Sequence, residues 1–338
     1  MQSINIGGED MTIQEKLKIE RLLDTYKRNF AFSHMQNKYL TLCPEAIRHD
    51  MIDELMRDAG IDKREALEAY LTGIFGLDYD NADDRVFIRD YIPQSVRLLD
   101  AKRYTENPYY KNVTPTPRTF GRWELKYEKY PAYRAVVCDD MQLLPDYREI
   151  APLGFFDEEF SFLAILEDNN EWMTLTPVDV DTCDEAIDEA HGKVVTFGLG
   201  LGYYAYMVHR KPEVESITVV ELSEDVIRIF KENILPYFEH PEKIRIVNAD
   251  AFEYAEGVMP SEGFDLAFVD TWRDAGDGAP MYKRMKALEH LSPKTEFLYW
   301  IENFLKSNIR SEYISGLLDK DIESLDYGDI VKRLKNPL

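Results

Sequence analysis

Apolar side chains in residues 11–34 recur at helical intervals, with Ile19, Leu22, Leu23, Tyr26 and Phe30 at offsets of 0, 3, 4, 7 and 11. One face of this segment is apolar and the rest polar, the pattern of a helix lying on a core. A second helix is predicted from Pro44, suited to a first helical turn, through Ile47, Met51, Ile52, Leu55 and Met56 to a stop at Gly60. Asp62 and Glu65 then have capping-box spacing ahead of Ala66, Leu67, Tyr70, Leu71 and Ile74, a third helix. From Tyr104 to Arg134 helical periodicity stops, and Pro, Thr and aromatic residues take over. Phe160–Leu166 and Trp172–Leu175 flank the turn-like Glu167–Glu171 as the arms of a hairpin would, and Asp184–Ala190 reads as a short helix.

Beyond that point strand and helix patterns alternate. Lys193–Phe197 is a β-branched run ending on Gly198, Tyr203–His209 reads as helix, Ser216–Val220 as strand and Glu224–Asn233 as helix. Lys243–Val247, Phe264–Val269 and Glu296–Ile301 read as further strands, separated by helices at Asp250–Glu256 and Pro280–Leu291 and followed by one at Asn303–Leu318. Such alternation predicts an α/β fold, a Rossmann-like doubly wound parallel sheet. The expected organisation is a helical subdomain over 1–100, a small β-rich aromatic segment over 101–180 and the Rossmann-like domain over 181–338. Only 20 residues follow Leu318, so a sixth and seventh strand are expected to be missing, or replaced by the strands of residues 160–176.

Composition narrows the function. Of 338 residues 45% are hydrophobic and 30% charged, an ordinary globular balance. Lys and Arg number 40 against 63 Asp and Glu, a net charge of −23, which is the wrong long-range field for a polyanion; nucleic acid is not an expected partner. The local exception runs from Lys102 to Arg134, with eight Lys and Arg against three acids. It reads first as aromatic strands packing on the core with their charges solvated, and second as part of a lid for a planar or anionic substrate. No stretch nears the roughly 18 apolar residues a bilayer requires, and MQSINIGGEDMTIQEKLKIE lacks a basic segment followed by an apolar one, so a cytoplasmic location without a membrane partner is expected. Cys43, Cys138 and Cys183, odd in number and far apart, read as reduced structural thiols. The six histidines show no metal-ligand spacing, so no metal is expected. The N-terminal helices read as a cap or a dimerisation element, giving a homodimer through the N-terminal half.

The chemistry concentrates after Lys193. A buried strand runs into Gly198-Leu-Gly200-Leu-Gly202, a helix follows, and the next strand ends on Glu221. Glycines let the backbone turn sharply beside a ligand, the helix start offers unpaired N–H groups, and a carboxylate about 20 residues on can accept two ribose hydroxyl hydrogen bonds. Asp250 and Asp270 fall at the same sheet edge. The dinucleotide fingerprint needs a small residue where Tyr203 stands, which disfavours NAD, and no Gly-Lys-Ser/Thr follows as in a phosphate-binding loop.

Residues 193–304 resemble the class I S-adenosylmethionine (SAM)-dependent methyltransferases, and within that superfamily the layout is similar to the spermidine synthase-like branch. The resemblance rests on Gly198-Leu-Gly200-Leu-Gly202, Val219-Val-Glu221-Leu222, Asn248-Ala-Asp250-Ala251 and Phe264-Asp-Leu-Ala-Phe-Val-Asp270. It implies SAM as cofactor, with the glycine loop facing its methionine part, Glu221 and Leu222 at the ribose, Asp250 and the Ala251 backbone at the adenine edge, and Asp270 beside the sulfonium and the acceptor. Thr196 stands where the family usually has an acid two residues before the first glycine, which implies an uncharged acceptor for the methionine ammonium. Leu201 stands where aminopropyl transferases carry an Asp that holds an amine.

Direct in-line methyl transfer to a small-molecule substrate is therefore the expected reaction, with Asp270 as the catalytic base or amine-binding group and Asp274 and Asp277 in reserve. Asp270 has an alternative role as a turn cap. Trp272 either stacks on the ligand or closes the core, and Tyr203, Tyr204 and Tyr206 read as packing. Two further readings are an aminopropyl transferase using decarboxylated SAM, to which the acidic 270–277 loop would draw polyamines, and a non-catalytic SAM-binding protein.

Overall fold

A computed structural model describes residues 11–338. At its centre is a five-stranded, wholly parallel sheet built from β1 (Gly192–Phe197), β2 (Val214–Glu221), β3 (Ile244–Asn248), β4 (Leu266–Val269) and β5 (Glu296–Tyr299), in the order β3-β2-β1-β4-β5. Along β4 the side chains alternate between two cores: Leu266 and Phe268 join Val194, Ile217 and Val219 on one face, and Ala267 and Val269 join Val195, Phe197 and Val220 on the other. The helices Tyr203–His209 and Glu224–Asn233 cover the first face, and Ala251–Gly257, Ala275–Leu288 and Glu302–Ser315 the second. This is a Rossmann-like doubly wound sheet, buried on both faces as a parallel sheet requires.

One expectation is corrected, and of another that left two alternatives one is ruled out. The helix predicted from Pro280 begins five residues earlier, at Ala275, with Pro280 inside it. Its start is set by the capping box of Asp274 and Asp277, a stronger local signal than the proline. No sixth or seventh strand joins the sheet among the described residues, and the strands of 160–176 do not replace them. Phe160–Glu167 and Asn170–Thr174 instead form a separate antiparallel sheet with Trp123–Tyr130 and Arg118–Phe120, where cross-strand pairing along all eight residues of Trp123–Tyr130 holds them.

The first helix, Ile13–Leu42, opens on a Thr12–Glu15 capping box and runs eight residues past its expected end at residue 34. The next, expected from Pro44, begins at His49, because the Cys43 carbonyl closes a turn with the Ala46 N–H, and the Pro44 carbonyl accepts from Ala135 N–H. Gly60 stops it at φ +67°, and Asp62 and Glu65 cap the helix Lys63–Ile74. The far half of the long helix packs on these helices and on the small sheet of Val96–Leu99, Leu153–Phe156 and Val136–Val137. Its near half meets the other end of the chain, with Ile19, Leu22, Leu23 and Tyr26 against Ile314, Leu317, Ile330 and Leu334. Beside them Glu149, 3% exposed, accepts from Arg310, Ser307 and Tyr26. Cys43 is exposed, Cys138 and Cys183 are buried, and all three are free thiols. No described helix is long and apolar enough to cross a membrane.

Buried His209 ends the helix after the glycine loop. Its Nε2 accepts from the Glu239 N–H at 3.1 Å, so that nitrogen is unprotonated and Nδ1 carries the proton toward the Tyr206 carbonyl. Burial holds its pKa below the ordinary imidazole range, against the opposing pull of the Tyr206 carbonyl. The unfolded chain then takes up a proton near pH 6.5 that the folded ring resists, so this site's contribution to stability is constant above that pH and falls below it, levelling off past the folded pKa. Urea titrations at pH 7.5 and 5.5 are expected to show a smaller acid-side loss in His209→Gln than in the wild type. Equal losses would remove His209 from the account.

Candidate functional site

The C-terminal ends of β1, β2, β3 and β4 lie along one edge, the place where open α/β sheets receive ligands. Gly198, Gly200 and Gly202 all have positive φ, +102°, +49° and +73°. A methyl group at Gly198 would lie 1.9 Å from the Asp270 carbonyl oxygen, so the turn after β1 runs directly against the end of β4. The loop is tied by Gly198 N–H to the Val220 carbonyl at 2.9 Å and by Gly202 N–H to the Leu199 carbonyl at 2.8 Å. Neither the Gly200 nor the Leu201 N–H has a backbone partner among the described residues, which leaves two free donors just ahead of the next helix.

Glu221 closes the loop from β2. Its Oε2 accepts from the Leu199 N–H at 3.1 Å and its Oε1 from the Ser223 N–H at 2.7 Å. A carboxylate has about four acceptor sites, so each oxygen can still take a hydroxyl. Burial raises its pKa, opposed by these backbone donors. Leu222 beside it is 69% exposed and lines the cleft. Asp250 caps the helix Ala251–Gly257 with Oδ1 alone, accepting from Phe252 and Glu253 N–H, while the buried Ala251, at the first helical position, has an N–H with no carbonyl to bond inside the helix. Asp250 Oδ2 and the Ala251 N–H are thus an acceptor and a donor without hydrogen-bond partners among the described residues.

Thr196, 3% exposed, lines an inner pocket and spends its hydroxyl proton on the Gly198 carbonyl at 3.4 Å. Asp270 lines the same pocket and makes no side-chain hydrogen bond among the described residues, so it does not cap the turn after β4. Burial, and next to it the charges of Asp179 and Glu221, push its pKa well above the carboxylate range. Asp179, absent from the residues singled out in the sequence, stands opposite on the helix Pro177–Asp181. Burial pushes it up to about 6, opposed by Thr176, whose N–H and hydroxyl both donate to Oδ2 at 2.7 and 2.8 Å. Its sequence context, Thr176-Pro-Val-Asp179, carries the signal of a helix start but none of a site.

The two reserve acids are otherwise engaged. Asp274 accepts from Gly276 and Asp277 N–H, and Asp277 from Arg273 and Asp274 N–H. Trp272 is buried against Tyr299 with its Nε1 unpartnered, and its ring also reaches the cleft wall. Tyr204 stacks on Phe268 at 4.3 Å, Tyr206 meets Tyr109 edge-on, and Tyr203 accepts from Asn107 while lining the inner pocket.

Outside the inner pocket, which has a volume of about 40 Å³, a cleft of about 740 Å³ spans Glu221, Asp250 and Asp270. Both are roofed by the strand Asn170–Thr174: Met173 lies over Gly200, close enough that a methyl there would meet its Cε at 2.0 Å, and Trp172 stacks under the Arg273 guanidinium at 4.5 Å. Met173, Trp172 and Trp300 were not legible as site residues: nothing local marks Asn170–Thr174 as a strand that folds over the glycine loop, or Trp300, just past β5, as facing the cleft. No cluster of His, Cys, Asp and Glu among the described residues has the geometry of a metal site.

No family model matches the sequence, and no curated protein matches it. Solved structures similar to it include the spermidine synthase from Thermotoga maritima, at 15% identity over 60% of this chain and 72% of that one with a TM-score of 0.31. A protein-L-isoaspartate O-methyltransferase is 24% identical over 31% of this chain, with a TM-score of 0.24, and a Klebsiella pneumoniae protein described as an O-methyltransferase is 19% identical over 28%, with a TM-score of 0.23. This chain spans 32% and 41% of the length of those two. At these scores the similarity carries no residue role to this chain.

Proposed function

We propose that the protein is a SAM-dependent methyltransferase acting on a small-molecule acceptor by direct in-line transfer. The observation that supports this reading most is the half-buried carboxylate pair, Asp179 and Asp270, which lines the inner pocket beside the glycine loop, with Glu221 and Asp250 along the same edge keeping free acceptor sites for an adenosine. When bound, SAM supplies an electrophilic methyl group on a sulfonium. Glu221 would accept from the ribose hydroxyls, and Asp250 Oδ2 with the Ala251 N–H would read the adenine edge. The free N–H groups of Gly200 and Leu201 suit the amino-acid carboxylate, and Asp179, oriented by Thr176, suits the ammonium. Thr196 contributes no charge, and the role the resemblance gives it passes to Asp179. Asp270 makes no side-chain hydrogen bond among the described residues, and burial raises its pKa; in its ionised form it is therefore a stronger base than an ordinary carboxylate, and that form is the group to take the proton an acceptor sheds as its heteroatom gains the methyl.

A second reading, aminopropyl transfer from decarboxylated SAM, is favoured by the inner pocket, whose two carboxylates face no cation among its lining residues. Calorimetric titration with SAM, S-adenosylhomocysteine, decarboxylated SAM and NAD separates the two. SAM and S-adenosylhomocysteine are expected to bind at micromolar affinity, weakened about 10- to 100-fold in Glu221→Ala through the lost charged hydrogen bonds. Preference for decarboxylated SAM would move the assignment to aminopropyl transfer, and binding of none of the four would overturn both.

A further inference from the structure

We propose that Arg273 is the specificity-determining residue of the acceptor site and that the acceptor is a flat molecule bearing a carboxylate; this rests on the methyl-transfer reading above. The cleft is lined by Glu171, Asp179, Glu221, Asp250, Asp270 and Asp277, and Arg273 is its one cation among the described residues. In a chain of net charge −23 an arginine ordinarily has an acid within reach, yet the Arg273 guanidinium makes no ion pair and no side-chain hydrogen bond among the described residues. The neighbouring carboxylate, Asp277, is held by the backbone N–H groups of Arg273 and Asp274. Instead the guanidinium lies over the face of Trp172, 4.5 Å from the ring centroid. That contact spends none of its N–H groups on a hydrogen bond, and a guanidinium with free N–H groups can take a carboxylate in two parallel hydrogen bonds.

The position sets Arg273 apart from the amino-acid tail of the donor, while it shares the outer cleft with Glu221 and Asp250. Arg273 lines the outer cleft and not the inner pocket, where Thr196, Leu201, Tyr203 and Asp270 surround the place for the amino-acid tail of SAM. Trp172, Trp300 and Met281 line the same outer cleft, apolar and polarizable surfaces suited to a planar body. A diamine would meet Arg273 as a like charge, so the same residue works against a polyamine acceptor.

The test uses full-length protein saturated with S-adenosylhomocysteine, titrated calorimetrically with benzoate, 3,4-dihydroxybenzoate and putrescine. Saturable binding of the two aromatic acids is expected in the wild type, weakened about 10-fold or more in Arg273→Gln and less in Arg273→Lys, with S-adenosylhomocysteine affinity unchanged in both variants. Equal aromatic-acid binding in wild type and Arg273→Gln, no binding of either acid, or binding of putrescine alone would overturn the inference. A loss of S-adenosylhomocysteine affinity in Arg273→Gln would overturn it too, by assigning the guanidinium to the donor's carboxylate. Failure of the wild type to bind S-adenosylhomocysteine at all would instead overturn the methyltransferase reading.

Discussion

Asp270→Asn is expected to lower turnover by about two to three orders of magnitude while making the protein harder to unfold at neutral pH. Removing a positioned proton acceptor costs a factor of this size. The stability gain follows from linkage. In the folded state Asp270 keeps its proton well above the ordinary carboxylate range, because burial and the charges of Asp179 and Glu221 oppose ionisation. Between those two pKa values the folded chain binds a proton that the unfolded chain has released, so stability falls as pH rises through the interval and the full cost is present above it. Asparagine carries no such charge. Urea denaturation at pH 7.5 beside a methyl-transfer assay checks both halves, and a variant that is inactive and also less stable would mean that Asp270 supports the fold rather than the chemistry. Asp179 adds a pH signature. Its carboxyl titrates at about 6, and only the ionised form holds an ammonium, so S-adenosylhomocysteine affinity is expected to rise as pH passes from 5 to 7.

Gly198→Ala is the second large effect, and it acts on the fold. The residue sits at φ +102°, and the added methyl would meet the Asp270 carbonyl oxygen, a backbone atom of a buried strand end, at 1.9 Å. Backbone strain at such a φ costs about 1–3 kcal/mol. The collision adds to it, since neither β1 nor β4 can withdraw without breaking sheet pairing, and a loss beyond about 4 kcal/mol is expected. Gly60→Ala is the control, also at a positive φ, +67°, but within the left-handed region open to other residues and with nothing within 4 Å of the new methyl. Thermal denaturation should place Gly60→Ala within about 2 kcal/mol of the wild type, the scale of backbone strain alone. If Gly198→Ala melted alongside it, the close approach of the two strand ends would be wrong.

The Rossmann-like half was legible because its signals are local. The helices Tyr203–His209 and Glu224–Asn233 run between the residues that their polar and glycine neighbours indicate, and Gly198, Glu221, Asp250 and Asp270 come to one edge because parallel strands carry them there. Pro280 misled because a proline just past a first turn is tolerated when a capping box has already begun the helix. The cleft's other wall was not legible. Asp179, Met173 and Trp172 come from a helix and a strand that precede β1 and lie outside its sheet, and their contacts with Gly200, Arg273 and the Asp270 environment are set by tertiary docking that leaves no periodic trace. Asp274 and Asp277 were legible as acids, but the backbone N–H groups that engage them appear only when the loop is seen.

The helix Ile13–Leu42 shares its first core with residues that lie about 300 positions later, a very high contact order for a helical element. At ribosomal speeds of about 5–20 residues per second, Ile19, Leu22, Leu23 and Tyr26 wait on the order of 15–60 s before Ile330 and Leu334 exist to cover them. Through that interval the apolar stripe lacks this part of its cover and is a binding site for chaperones in the nascent chain, so the joining of the two segments cannot precede the synthesis of Leu334.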